Sequence, residues 1–216
     1  MNHPKKLNLL LAICCLLQMP ARSAEKQDAP AYPQFFIALQ GGAQQTFTDY
    51  SAFRLTTPTA SISIGSFFTP VVGVRLHLNG IWNKGGYKDD DENFRYKYRY
   101  LTSDVDVLVN LVTLIGRKNS YPMNVYLTGG IGLCCAWNNG EALARTDFLP
   151  LAFEGKCISH NARIGTMLEW NVSKAVGINL EVAANNLKDR FNSKMSKKPD
   201  WQLTTQIGII YRFRIP

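Results

Sequence analysis

Eight segments of this sequence alternate apolar with polar or small residues, and each reaches the ~9–11 residues that a tilted strand needs to cross a bilayer. The stretch 96–137 shows the pattern best. Leu101, Val105, Val107, Val109 and Leu111 alternate with Asp104, Asp106 and Asn110, the chain breaks at Gly116-Arg117-Lys118-Asn119, and Val125, Leu127, Ile131, Leu133 and Trp137 then alternate with Asn124, Tyr126, Thr128 and glycine. A period of two with one apolar face predicts a β-hairpin whose faces meet different solvents. Alternation alone does not say which face is the inner one. A soluble sandwich or lipocalin-like barrel turns the apolar face inward, and a membrane barrel turns it outward.

Connection lengths favour the membrane. The predicted strands cover 35–46, 59–68, 71–82, 96–112, 124–137, 157–172, 175–186 and 201–215. The connections after strands two, four and six are short, at 69–70, 113–122 and 173–174. Those after strands one, three, five and seven are longer and more polar, at 47–58, 83–95, 138–156 and 187–200. Short turns on one rim and long loops on the other, with an even strand number, are the habit of bacterial outer-membrane barrels. The polar face also suits a lumen better than a water-exposed surface, because it carries Gly, Asn, Thr and isolated charges rather than many Lys and Glu. The expected fold is all-β: an eight-stranded antiparallel up-and-down transmembrane β-barrel.

The N-terminus supports export. Lys5 and Lys6 precede an apolar run at 7–17, and Pro20-Ala21-Arg22-Ser23-Ala24 follows, the layout of a secretory signal peptide at 1–23 with cleavage after 23 or 24. The run is about half the ~20 residues of a spanning helix. Residues 24–34 read as a flexible periplasmic leader and 35–216 as the barrel. Removal of Lys5, Lys6 and Arg22 lowers the formal net charge from +8 to +5. With no later segment long enough for a membrane helix, entry into a membrane requires a closed barrel. Bulky residues before Cys14 and Cys15 argue against a lipoprotein signal.

Aromatic residues gather near strand ends: Phe35, Phe68, Trp82, Trp137, Trp170, Trp201, Tyr211 and Phe213. Amphipathic rings favour membrane–water boundaries, so these residues predict two girdles. The inward parity collects Arg75, His77, Asp104, Asp106, Arg163, Glu169, Glu181, Arg212 and Arg214. Arg75 and His77 can face Asp104 and Asp106 across one hairpin, and Arg163 or Arg212 can reach Glu169 or Glu181. Side chains just fill an eight-stranded barrel. A paired polar plug is therefore the expectation, with a narrow ion or proton path as the functional alternative. Cys134 and Cys157 share inward parity near the outer rim, where a disulfide would tie off the loop 138–156; a register slip of one would remove it.

Three features invite chemistry. His160 sits on the lipid face beside Ser159, but neighbours in a strand point to opposite faces, so the two cannot form a nucleophile–base pair. Asp89-Asp90-Asp91-Glu92 matches no calcium-loop spacing. Lys84, Lys88, Arg95, Lys97 and Arg99, with Lys188, Arg190, Lys194, Lys197 and Lys198 in the last loop, suit the phosphates of lipopolysaccharide. Nucleic-acid, nucleotide-phosphate and zinc motifs are absent, and no cofactor or metal is expected.

The runs Phe68-Thr69-Pro70-Val71-Val72-Gly73-Val74-Arg75-Leu76, Tyr98-Arg99-Tyr100 with Asp104-Val105-Asp106-Val107-Leu108-Val109-Asn110-Leu111, and Val125-Tyr126-Leu127-Thr128-Gly129-Gly130-Ile131-Gly132-Leu133 resemble the small OmpA/OmpX-type outer-membrane barrel domains. The resemblance covers nearly all of the mature chain. It implies insertion by the barrel-assembly machinery through a last strand ending in an aromatic residue, a role filled by Phe213. Arg214-Ile215-Pro216 extend past it, a departure from the pattern. A peptidoglycan-binding domain follows many such barrels; none is expected here, so the resemblance does not imply cell-wall anchoring. The resulting expectation is a monomeric outer-membrane protein of structural or surface-interaction type, with outer-membrane lipid and lipopolysaccharide as partners. A lipid-modifying barrel enzyme is the alternative, and a narrow pore comes after it.

Overall fold

A computed structural model of the chain describes residues 32–47, 55–88, 93–116, 122–144, 157–187, 191 and 200–214. The expected signal peptide, most of the leader, the acidic run 89–92 and the lysines at 188–198 lie outside them. Eight strands follow one another: β1 (Gln34–Phe47), β2 (Thr56–Phe67), β3 (Val72–Lys88), β4 (Asn93–Asn110), β5 (Met123–Trp137), β6 (Cys157–Asn171), β7 (Val176–Leu187) and β8 (Asp200–Phe213). Each pairs antiparallel with the next, and β8 closes onto β1 through Phe47↔Trp201 at one rim and Phe35↔Phe213 at the other. Closure leaves no unpaired sheet edge, which a bilayer interior demands.

The apolar face is the outer one. Leu39, Ile62, Leu76, Val105, Ile131, Ile164, Leu180 and Ile207 place an exposed aliphatic side chain on every strand, and Ile131 is 73% exposed. Asp104, Asp106 and Glu169 on the inner face are fully buried. A continuous apolar band outside a charged interior has lipid as its matching solvent. Its height is consistent with this. Trp201 and Tyr211 lie ten residues apart on β8, which at ~3.3 Å per residue and a ~40° tilt spans about 25 Å. Trp82, Trp137 and Trp201 mark one boundary. At the other, Phe35 and Tyr211 lie on either side of Phe213 at centroid distances of 6.1 and 6.2 Å, with Phe68 and Trp170 on the same rim.

Two short turns use the same chemistry. The Thr69 hydroxyl accepts from the Val72 amide at 2.9 Å, and the Ser173 hydroxyl accepts from the Val176 amide at 3.0 Å. Each side chain satisfies an amide that the reversal frees.

The structure corrects the sequence reading in two connections. The predicted loop 83–95 is mostly ladder, because β3 and β4 pair from Val72↔Val109 out to Lys88↔Asn93. Gly85 reads as a loop residue, but the ring of Tyr96 occupies the space where its side chain would lie, so the glycine makes room for the aromatic. The predicted end of strand four at 112 is instead a short helix, α1 (Leu111–Gly116). The Asn110 side chain accepts from the Thr113 amide at 3.2 Å, capping that helix as asparagine commonly does.

Candidate functional site

The lumen is filled in three storeys. At mid-height, Arg75 on β3 and Glu181 on β7 stand on opposite walls and meet across the barrel. The guanidinium donates Nη1 to Glu181 Oε2 at 2.9 Å and Nη2 to Oε1 at 2.5 Å, while Nε donates to Asp106 Oδ2 at 2.8 Å. Arg163 on β6 donates to Glu181 Oε1 at 2.7 Å and lies 3.6 Å from Asp106 Oδ2. Two arginines and two carboxylates thus form a neutral, buried tetrad. Gln40 binds Glu181 and Asn179, and Ser61 links Gln40 to Gln206, so the tetrad is tied to β1, β2 and β8 as well. Buried ions need this density of partners, since each unpaired one costs several kcal/mol.

Glycines on β5 make the tetrad possible. Asp106 on β4, Gly130 and Arg163 occupy one rung, and Asp104, Gly132 and Asn161 occupy the next. In the second rung the Asn161 amide donates to Asp104 Oδ1 at 2.8 Å, passing over Gly132. A Cβ on Gly130 would collide with the Asp106 carboxylate and come within 2.5 Å of the Val105 carbonyl. Gly130→Ala is therefore expected to destabilise the folded barrel by about 1–3 kcal/mol. Gly129→Ala, whose Cβ enters open space on the outer face, serves as the control. Urea unfolding in lipid vesicles, followed by tryptophan fluorescence, separates the two; equal midpoints would rule out the packing argument.

Aromatic and aliphatic layers close the lumen on both sides. Towards the long-loop rim, Tyr96, Tyr98 and Tyr100 pack with Leu187 and Phe191. Phe191 meets Tyr98 and Tyr100 edge-on, each at 5.4 Å. The phenols are also anchored: Asn83 donates to Tyr98 at 3.0 Å, and Tyr100 contacts Gln44, Thr59 and Asn79. Towards the short-turn rim, Phe36, Phe67, Leu108, Tyr126, Met167 and Ile210 form the second layer. The ion pair of Arg212 with Glu169 lies at this end.

The remaining candidates lie elsewhere or in different company. His77 stands opposite Asp104 in register, while its Nδ1 shares a hydrogen bond of 2.8 Å with Ser63. Arg214, expected inside, is exposed beyond the end of β8. The expected Cys134–Cys157 disulfide is not formed: Cys134 and Cys135 are both thiols, and the register sets Cys134 opposite Ser159 and Cys157 opposite Ala136. The two cysteines are thereby offset by two residues along their strands. Ser159 is buried in the lumen and His160 is exposed on the outer face, so the barrel wall separates them. Among the described residues no cluster of His, Cys, Asp and Glu could hold a metal ion.

The tyrosine layer and the glycine rungs are features of the lumen that the sequence reading did not single out. Tyr96-Lys97-Tyr98-Arg99-Tyr100 carried the signal, since the parity that turns Asp104 inward also turns the three tyrosines inward.

The sequence matches no family model and no curated protein. The fold is similar to that of solved barrels. Neisserial surface protein A (NspA) is 11% identical, with a TM-score of 0.55 over 83% of this chain and 97% of that one. A major outer membrane protein from Thermus thermophilus is 12% identical, with a TM-score of 0.52 over 85% and 100%. OprG from Pseudomonas aeruginosa is 11% identical, with a TM-score of 0.51 over 85% and 97%. At these identities the likeness is one of fold. The chain is an eight-stranded antiparallel up-and-down transmembrane β-barrel with the architecture of the small OmpA/OmpX-type outer-membrane proteins.

Proposed function

We propose that the chain is a non-conducting barrel of a bacterial outer membrane, exported by its N-terminal segment and inserted by the barrel-assembly machinery as a monomer. Its work is structural and surface-directed. A rigid wall holds four connections at one rim, and those connections are the variable surface through which it meets the exterior. The observation that carries this reading is the filled lumen, in which a neutral tetrad is bracketed by apolar layers on both sides. An ion crossing it would have to displace the ion pairs and pass two layers of packed aromatic and aliphatic side chains, each a desolvation barrier. A pore would instead need a continuous hydrated path.

A lipid-modifying barrel enzyme is the alternative; among the described residues His160 shares its lipid-facing surface with Leu133 and Ile158. Two measurements test the proposal. Fractionated cells should place the protein in the outer membrane with a heat-modifiable gel mobility. Planar bilayers loaded with the refolded protein should show no discrete conductance steps. Stable unitary steps that change size in an Arg75 variant would overturn the sealed-lumen reading.

A further inference from the structure

On its outer face, just above the apolar band, the β3–β4 hairpin carries a column of positive charge. Arg95, Lys97 and Arg99 alternate along β4, all exposed, with Lys84 directly opposite Lys97 in the ladder. Like charges directly opposed across antiparallel strands repel. Here both ammonium groups also lean over the same Trp82 ring, at 5.4 and 5.7 Å from its centroid. Among the described residues no carboxylate forms an ion pair with Lys84, Lys97 or Arg99. Arg99 sits between Trp82 and Trp137 in register, at the height of the aromatic girdle, and Leu101 below it begins the lipid band.

A cleft of about 390 Å³ opens beside these residues, lined by Trp82, Lys97, Arg99, Asn138 and Glu141. Glu141, on the short helix α2 (Gly140–Leu143), turns its carboxylate to the Lys97 backbone amide at 2.8 Å. It therefore closes one side of the cleft through the β4 backbone, without an ion pair to the Lys84 or Lys97 ammonium.

We propose that this cleft is a site for the phosphorylated headgroup of an outer-leaflet glycolipid, with Lys84, Lys97 and Arg99 holding the phosphate and Trp82 and Trp137 bracketing the sugar and upper acyl region. Three features point to a membrane lipid. The cations gather with no ion-paired carboxylate among the described residues. They sit at the headgroup height set by the tryptophans. Two residues below Arg99 on the same face, exposed Leu101 begins the lipid-facing band. An anion placed between Lys84 and Lys97 would turn their repulsion into a clamp, and each cation near a membrane surface adds appreciably to anionic-lipid affinity.

The inference rests on the membrane-barrel reading, and its test keeps the two apart. Refolded wild-type protein and the Lys84→Gln/Lys97→Gln variant are placed in mixed micelles with diphosphoryl lipid A and, separately, with its dephosphorylated form. Bound lipid is counted by native mass spectrometry. Wild type is expected to retain diphosphoryl lipid A on the order of tenfold better than the variant does, and better than it retains the dephosphorylated lipid by a similar factor. The variant should keep its heat-modifiable gel shift and, without lipid A, resist urea at least as well as wild type, because a repulsive pair has been removed. Equal retention by the two proteins, or equal retention of the two lipids, would overturn the site. Displacement of the lipid by millimolar inorganic phosphate, or capture of a soluble heparin oligosaccharide with equal affinity, would overturn the assignment to a membrane lipid. Wild-type protein with no heat-modifiable band in the same micelles would fail the barrel reading itself, and the site with it.

Discussion

Arg75→Met is expected to lower the stability of the folded barrel by about 3–5 kcal/mol, because it leaves Asp106 and Glu181 buried with Arg163 as their one shared cation among the described residues. The loss comes from stranded charge rather than from packing. Methionine keeps most of the arginine's volume, and Met167 already lies 4.0 Å from the Arg75 Nη1 position. A second variant distinguishes the causes. Arg75→Met/Glu181→Met removes one cation and one anion together and leaves the Arg163–Asp106 pair balanced. A buried pair exchanged for apolar residues of similar volume is often neutral or stabilising. The double variant should therefore be more stable than Arg75→Met, although two residues have been changed instead of one. Asp104→Asn is the third arm. Asp104 has an amide partner and no ion pair among the described residues, so losing its charge should cost much less than losing Arg75. Urea midpoints of vesicle-refolded protein read all three. An Arg75→Met variant within about 1 kcal/mol of wild type would mean that water reaches the tetrad and that the lumen is not sealed.

The same residues show what the sequence could and could not carry. The membrane-crossing parts of the strands were legible, because period-two alternation survives wherever one face meets lipid and the other a polar lumen, as in Leu101 to Asn110; the ladder of β3 and β4 beyond the band, where both faces leave the lipid, was not. The hairpin pairing of Arg75 with Asp106 was also legible, since adjacent strands in an up-and-down barrel leave few registers open. The meeting of Arg75 with Glu181 was not. Those residues are 106 positions apart and stand on opposite walls, and their contact depends on the stagger with which β8 closes on β1. Glycine misled in one place and was overlooked in another. At Gly85 it looked like loop punctuation and proved to be the floor beneath Tyr96. At Gly130 and Gly132, which the alternation counts only as residues of the polar face, it proved to be the gap across which β4 carboxylates meet β6 donors. In both cases the absent side chain is defined by a neighbour on another strand, and periodicity within one strand cannot show that.

The second large effect is expected on the opposite face of the wall. Ile131→Arg places a guanidinium midway along β5, between Met123 at the level of Trp170 and Trp137 at the other girdle, on a side chain 73% exposed and flanked by Val105 and Ala162. At a bilayer midplane this costs about 2–4 kcal/mol, falling to about 0–1 kcal/mol near an interface. Met123→Arg, at the boundary, should therefore be tolerated where Ile131→Arg is not. The depth gradient matters more than either value. If a soluble partner or a second copy covered the apolar face, both substitutions would be penalised according to local packing, with no dependence on height. If the face met water, both would be nearly neutral, and the arginine would improve solubility. A hydrocarbon slab alone makes the same chemical change costly at mid-height and cheap at the girdle. Folding yields and unfolding free energies of the two variants in vesicles of one composition would show this gradient directly. Repeating the pair in a bilayer of shorter acyl chains should lower the cost at Ile131 more than at Met123, because thinning brings the interface towards mid-height while Met123 is already at it.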